Sequence, residues 1–113
     1  MLTILARIAL PLLLLASFIV APACAQTPVN LSITVKDHKF QPAELNAPAN
    51  VPIVLHVKNL DAKAMEFESV TLRVEKVVTP NSEGVIRIRP LVPGRYNFFD
   101  DFNPETTGVL VVK

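Results

Sequence analysis

From residue 31 onward apolar and polar positions alternate with period two in a series of short runs. Leu31, Ile33 and Val35 alternate with Ser32, Thr34 and Lys36, the mark of a strand with one buried face. Residues 51–57 repeat the pattern with Val51, Ile53, Leu55 and Val57 on one side. Val70, Leu72 and Val74 do so again, and Val85, Ile86 and Ile88 stand between or beside Arg87 and Arg89. In Met65-Glu66-Phe67-Glu68-Ser69 the same period turns Phe67 toward the core and both glutamates away from it. Tyr96, Phe98 and Asp100 share a face near the C-terminus, and residues 109–112 form a last apolar run. Between the runs stand turn residues: Pro42, Pro48 with Asn50, Thr79-Pro80-Asn81-Ser82, and Pro90, Pro93 and Gly94. β-Branched residues within 70–78 argue against a helix there. About seven strands at spacings near ten residues predict an all-β fold, a small β-sandwich.

Residues 1–25 break this pattern. Arg7 precedes an apolar stretch over residues 8–20, and Ala23-Cys24-Ala25 places small residues before Gln26. That is the layout of a cleaved secretory signal peptide, and the stretch is short for a bilayer span, with no charge to stop it. Lipidation of Cys24 is the alternative fate. The folded domain is then residues 26–113, exported to the periplasm. Removing Arg7 leaves ten Lys and Arg against ten Asp and Glu, so no net charge recommends nucleic acid or an anionic membrane as a partner. The only cysteine leaves with the signal, and with it any disulfide or thiolate ligand. About 88 residues must fold on an apolar core alone.

Oxygen donors gather in two places. Glu66 and Glu68 flank Phe67. Residues 96–108 hold Asp100, Asp101, Asn103 and Glu105 on a loop between two core strands, where a rigid scaffold can present them to a cation. Adjacent carboxylates at a strand end repel one another unless a cation, a donor or water offsets the charge; a solvated turn is the plainer alternative. His38 lies in a polar turn, a candidate ligand at a position where surface histidines are common. His56 faces opposite its apolar neighbours and reads as exposed, and Met65 is either a core filler or a thioether ligand. Phosphate-binding glycine loops, a Ser/His/Asp arrangement and paired Cys or His zinc spacings are absent, so nothing speaks for hydrolysis.

Phe40-Gln41-Pro42 after a first strand, Asn59-Leu60-Asp61, Pro93-Gly94-Arg95-Tyr96-Asn97-Phe98 and the closing Gly108-Val109-Leu110-Val111-Val112 together resemble a cupredoxin. MEFES, VEKVV and YNFFDDFNPE resemble, more narrowly, the cupredoxin-type domain of periplasmic iron-uptake components, the EfeO-like and FtrB-like proteins. The resemblance implies a Greek-key β-sandwich. It also puts Asp100 where a blue-copper protein has its cysteine, Asn103 near the downstream histidine, Thr106 or Thr107 near the methionine, and Met65 at the upstream histidine. With those ligands replaced, blue-copper electron transfer is not expected. Carboxylates suit iron or manganese better than cuprous copper. The implied site pairs Glu66 with Asp100, helped by Glu68, Asp101 and Glu105. The implied role is to bind iron, ferrous or ferric, assist its oxidation, and hand it to a membrane iron permease and other uptake components, as an accessory more than an enzyme. A copper-binding or copper-delivery module using Met65 and His38 is the alternative from a second class. A metal-free domain that offers its acidic end to a basic partner is a third.

Overall fold

A computed structural model describes residues 3, 7–20 and 26–113. The cleavage motif at residues 23–25, with Cys24, lies outside the described residues. Residues 7–20 carry neither helix nor strand, and among the described residues no helix is long and apolar enough to cross a membrane.

Nine strands follow: β1 (Val29–Lys36), β2 (Lys39–Gln41), β3 (Glu44–Ala47), β4 (Ile53–Asn59), β5 (Met65–Ser69), β6 (Val74–Val78), β7 (Ser82–Ile88), β8 (Gly94–Asp100) and β9 (Asn103–Val112). They form a four-stranded sheet in the order β2-β1-β4-β7 and a five-stranded sheet in the order β3-β9-β8-β5-β6. The chain crosses between the sheets, so β1 and β4 pair in parallel, as do β3 and β9. The sandwich read from the alternation is the one formed. Its strand number is nine rather than about seven: β2, three residues long, is too short to display a period, while Glu44–Ala47, which reads as a short extended segment after Pro42, is β3. Lys39–Gln41 is nonetheless a strand and not part of a polar turn.

Ile33, Val35, Ile53, Leu55, Val57, Ile86 and Ile88 fill the inner face of one sheet, and Phe67, Val78, Phe98, Leu110 and Val112 that of the other. Three phenyl rings join the sheets at one end. Phe67 stacks on Phe98 with centroids 4.9 Å apart, and Phe40 meets Phe98 edge-on at 5.0 Å, the offset and T-shaped geometries that aromatic quadrupoles favour. Gly108 is paired with Phe98 across β8 and β9, and a Cβ there would land on the Phe98 ring.

Two stretches differ from the expectation. Residues 70–73 form a turn rather than the start of a strand. The Ser69 hydroxyl accepts the Leu72 N–H at 3.2 Å, Arg73 N–H reaches Val70 O at 3.2 Å, and Arg73 takes φ 56°. Leu72 is thereby rolled into the core while Val70 is left in solvent. The expected loop within residues 96–108 is mostly strand. β8 turns into β9 at Asp101-Phe102, and the register jumps between Phe99↔Thr107 and Asp100↔Asn103, so Pro104, Glu105 and Thr106 bulge from the ladder. That bulge is pinned by the Thr106 hydroxyl, which donates to His38 O at 2.6 Å.

Because the Phe98 ring occupies the space a side chain at 108 would need, Gly108→Ala is expected to destabilise the fold by about 1–3 kcal/mol, the usual cost of overpacking. The check is a urea titration in which the midpoint falls and the slope stays constant.

Candidate metal centre

The site is built by the pleat of β5. Met65, Phe67 and Ser69 point inward and are 2%, 0% and 1% exposed, so Glu66 and Glu68 must stand on the outer face of the five-stranded sheet. β6 returns beside β5 with Glu75 directly opposite Glu68. On the other side Asp101 follows the end of β8, its N–H donating to Glu66 O at 2.9 Å. One carboxylate oxygen from each of Glu66, Glu68 and Asp101 falls within 4.8 Å of the others. Glu75 joins them by sharing a hydrogen bond with Glu66.

Four carboxylates therefore meet on one patch, and Glu66 is only 9% exposed. The ion pairs among the described residues are His38 with Asp61, His56 with Glu83 and Arg95 with Glu44. None of them neutralises the patch. The consequence is visible in proton affinity. The hydrogen bond with Glu75, then burial, then the charges of Glu75, Asp101 and Glu68 push the Glu66 carboxyl up from the ordinary 4.5 to about 7. Burial, followed by the charges of Asp101 and Glu75 and a hydrogen bond with Asp101, raises Glu68 as well. At neutral pH partial protonation of Glu66 relieves part of the repulsion. A cation of higher charge placed among the same oxygens would relieve more.

Asp100 is elsewhere. It pairs with Phe67, points inward, and is 1% exposed. Its Oδ1 accepts the N–H of Glu66 at 2.9 Å and of Phe102 at 3.0 Å, and its Oδ2 accepts the Asn103 amide at 3.3 Å. Asp100 thus fastens the β8–β9 turn to β5 and sets Glu66 and Asp101 side by side without pointing at their patch. Met65 lies in the core. His38 sits in the β1–β2 turn at φ 57°, its N–H donating to the Asp61 carboxylate at 3.1 Å. Glu105 is exposed on the β9 bulge and lines a separate hollow with His38. The structure therefore brings together Glu66, Glu68 and Asp101 and keeps Asp100, Met65, His38 and Glu105 apart from them. Glu75 is the member that the sequence reading passed over. Its signal was the pairing of MEFES with VEKVV in one antiparallel hairpin, which sets Glu75 against Glu68 only if the turn at residues 70–73 is known.

Hard oxygen donors without a thiolate or imidazole fit ferrous or ferric iron, manganese or another hard cation, and do not fit cuprous copper. The inner position of Asp100 is filled by its own hydrogen bonds, so the donors that face a cation are those of the outer patch.

Comparison with known proteins bears on the fold. Over 85 residues, 74% of this chain and 68% of the relative, the sequence is 40% identical to the uncharacterized protein RP394 of Rickettsia prowazekii (strain Madrid E). Two solved structures share the fold at low identity. The metal-binding domain of the Cu(I)-exporting P-type ATPase CopA of Streptococcus pneumoniae D39, solved with Cu(I), gives a TM-score of 0.65 at 17% identity over 74% of this chain and 84% of that one. Auracyanin A, a "blue" copper protein from Chloroflexus aurantiacus, gives 0.65 at 15% identity over 77% of this chain and 100% of that one. The family model described as a cupredoxin-like domain matches residues 7–112, and with two sheets, a parallel β1–β4 pair and a β8–β9 hairpin at one pole, the chain belongs to the cupredoxin-like domain family.

Proposed function

We propose that this protein is a periplasmic metal-binding cupredoxin-like protein of an iron-uptake system, exported by the signal at residues 1–25, and that iron is its cargo. The observation that carries the reading is the patch of Glu66, Glu68, Glu75 and Asp101, four carboxylates with no cationic side chain paired to them among the described residues. The resemblance of MEFES, VEKVV and YNFFDDFNPE to EfeO-like and FtrB-like proteins supports iron over other hard cations. In this reading Glu68, Glu75 and Asp101 approach the ion from the solvent side and Glu66 from beneath. Asp100 positions the others through the backbone. Carboxylates interact more strongly with a trivalent than a divalent ion in proportion to charge, so the patch favours ferric over ferrous iron and assists oxidation by stabilising the ferric product once an external one-electron acceptor has taken the electron, before handover to a membrane permease. Cupric copper on the same oxygens is the second reading, favoured by copper-binding neighbours in fold such as auracyanin A.

Metal affinity of the folded protein, measured by calorimetry with ferrous, ferric and cupric ions in parallel, separates these readings. Glu68→Gln, Glu75→Gln and Asp101→Asn are each expected to weaken iron binding by at least about tenfold, the scale even of a residue that merely supports a metal site. Met65→Leu and His38→Ala are expected to leave it unchanged. Tight cupric binding that outcompetes iron and is lost in the same three variants would favour the copper reading.

A pH series gives a further expectation. Glu66 carries a proton that a cation must displace, and its folded pKa of about 7 lies above the ordinary 4.5. Apparent metal affinity is therefore expected to rise with pH up to about 7 and to level off above it, with proton release on binding detectable in weakly buffered solution. The metal-free fold follows the opposite sign. A raised carboxyl pKa favours the folded state below the unfolded value, and this contribution is lost as pH rises from about 4.5 through about 7. Thermal melts of the metal-free protein across that window should move down with pH, and Glu75→Gln should flatten the dependence.

A further inference from the structure

Beside the carboxylate patch, on the same outer face of the five-stranded sheet, lies a groove of about 750 Å³. Phe99, Val109 and Ala43 give it apolar walls, Asn97 and Thr107 add hydrogen-bonding groups, and Arg95 is the one charged residue that lines it. That size and mixture, an apolar hollow with a few polar groups to fix orientation, is what small-molecule sites have in common. The groove and the patch are continuous: Phe99 pairs with Glu68 across β8 and β5, so the phenyl ring is the boundary between them.

The lining names the ligand's chemistry. Arg95 reaches Glu44 at 3.6 Å, and both side chains are more than half exposed. Such a surface pair contributes little, which leaves the guanidinium free to take a carboxylate in its bidentate fork. The exposed face of Phe99 offers a surface on which a flat apolar body can stack. Arg95 and Phe99 lie four residues apart on one strand face, roughly 13 Å at the usual rise per residue. A compound with its carboxylate toward Arg95 lays its ring along the apolar wall toward Phe99.

We propose that this groove binds a small aromatic carboxylate. The proposal stands apart from the metal-binding reading above.

The test uses the full chain, labelled with nitrogen-15, and sodium salicylate as the probe. Salicylate is expected to shift the amide signals of Arg95, Asn97, Phe99, Thr107 and Val109. Its affinity is expected to fall about tenfold in Arg95→Gln, which removes a charged hydrogen bond, and in Asn97→Trp, whose indole fills the groove. Both positions are exposed, so the fold persists in either variant. Shifts confined to another region, or an affinity that neither substitution alters, overturn the groove. An absence of any shift overturns it as well.

Discussion

The Asp100 carboxylate is the contact on which the functional end of the sandwich depends. It is buried, and it takes hydrogen bonds from the backbone of β5 and from the turn that follows β8. An acceptor with two backbone donors and one amide is well compensated, and removing it would leave two N–H groups without their acceptor, that of Glu66 in a buried position. By holding Glu66 N–H on one side and Phe102 N–H on the other, it fixes the phase of β5 against the turn. The pleat does the rest: with Phe67 and Asp100 both committed inward, Glu66, Glu68 and Asp101 have only the outer face left to occupy.

That outer face is electrostatically unfinished. Among the other surface carboxylates Glu83 has His56 at 2.7 Å, Glu44 has Arg95 at 3.6 Å and Asp61 has the backbone amides of Asp37 and His38. The four carboxylates around Glu66 have mainly each other, and the raised proton affinity of Glu66 and Glu68 is the measure of that crowding. Like charges held together in this way oppose folding, so the apolar core and the stacked phenyl rings must carry the fold against them. A site that lowers the stability of the empty protein is one that a bound cation stabilises, since ligand binding adds to the folded state alone.

The family scaffold is thus reused with its emphasis moved. Where the cupredoxin resemblance places soft ligands, this chain has Met65 in the core and Asp100 and Asn103 bonded to one another. The interior end of the sandwich has become a hydrogen-bonded clamp, and the charged groups lie one residue to either side, on the opposite face. The same strands still organise the region, because a shift of one residue along a strand reverses the side on which a side chain appears. The Asn59 side chain shows the same economy of means: fully buried, it donates to Lys63 O and Val78 O and accepts from Asp61 N–H, tying the loop before β5 to the end of β6.

Composition and alternation alone determined the all-β class, the inward faces of β1, β4, β5 and β7, and the outward turn of Glu66 and Glu68, because a period of two is a local property that needs no knowledge of neighbours. The patch itself was legible only in part. Asp100 and Asp101 are adjacent in sequence and equivalent in charge; the period puts Asp100 on the face of Phe98, but nothing local says that it is buried there as an acceptor while Asp101 joins an acidic surface patch. That depends on which donors β5 brings to the turn. Glu75 stands nine residues after Glu66 and seven after Glu68 in an ordinary strand, and it became part of the patch only once the turn at residues 70–73 fixed the hairpin register. Glu105 went the other way: near Asp101 in sequence, it was carried off by the bulge that Thr106 anchors to His38. Strand period is written in the chain, whereas register, bulges and the sharing of hydrogen-bond donors arise between segments, and only the tertiary structure could decide them.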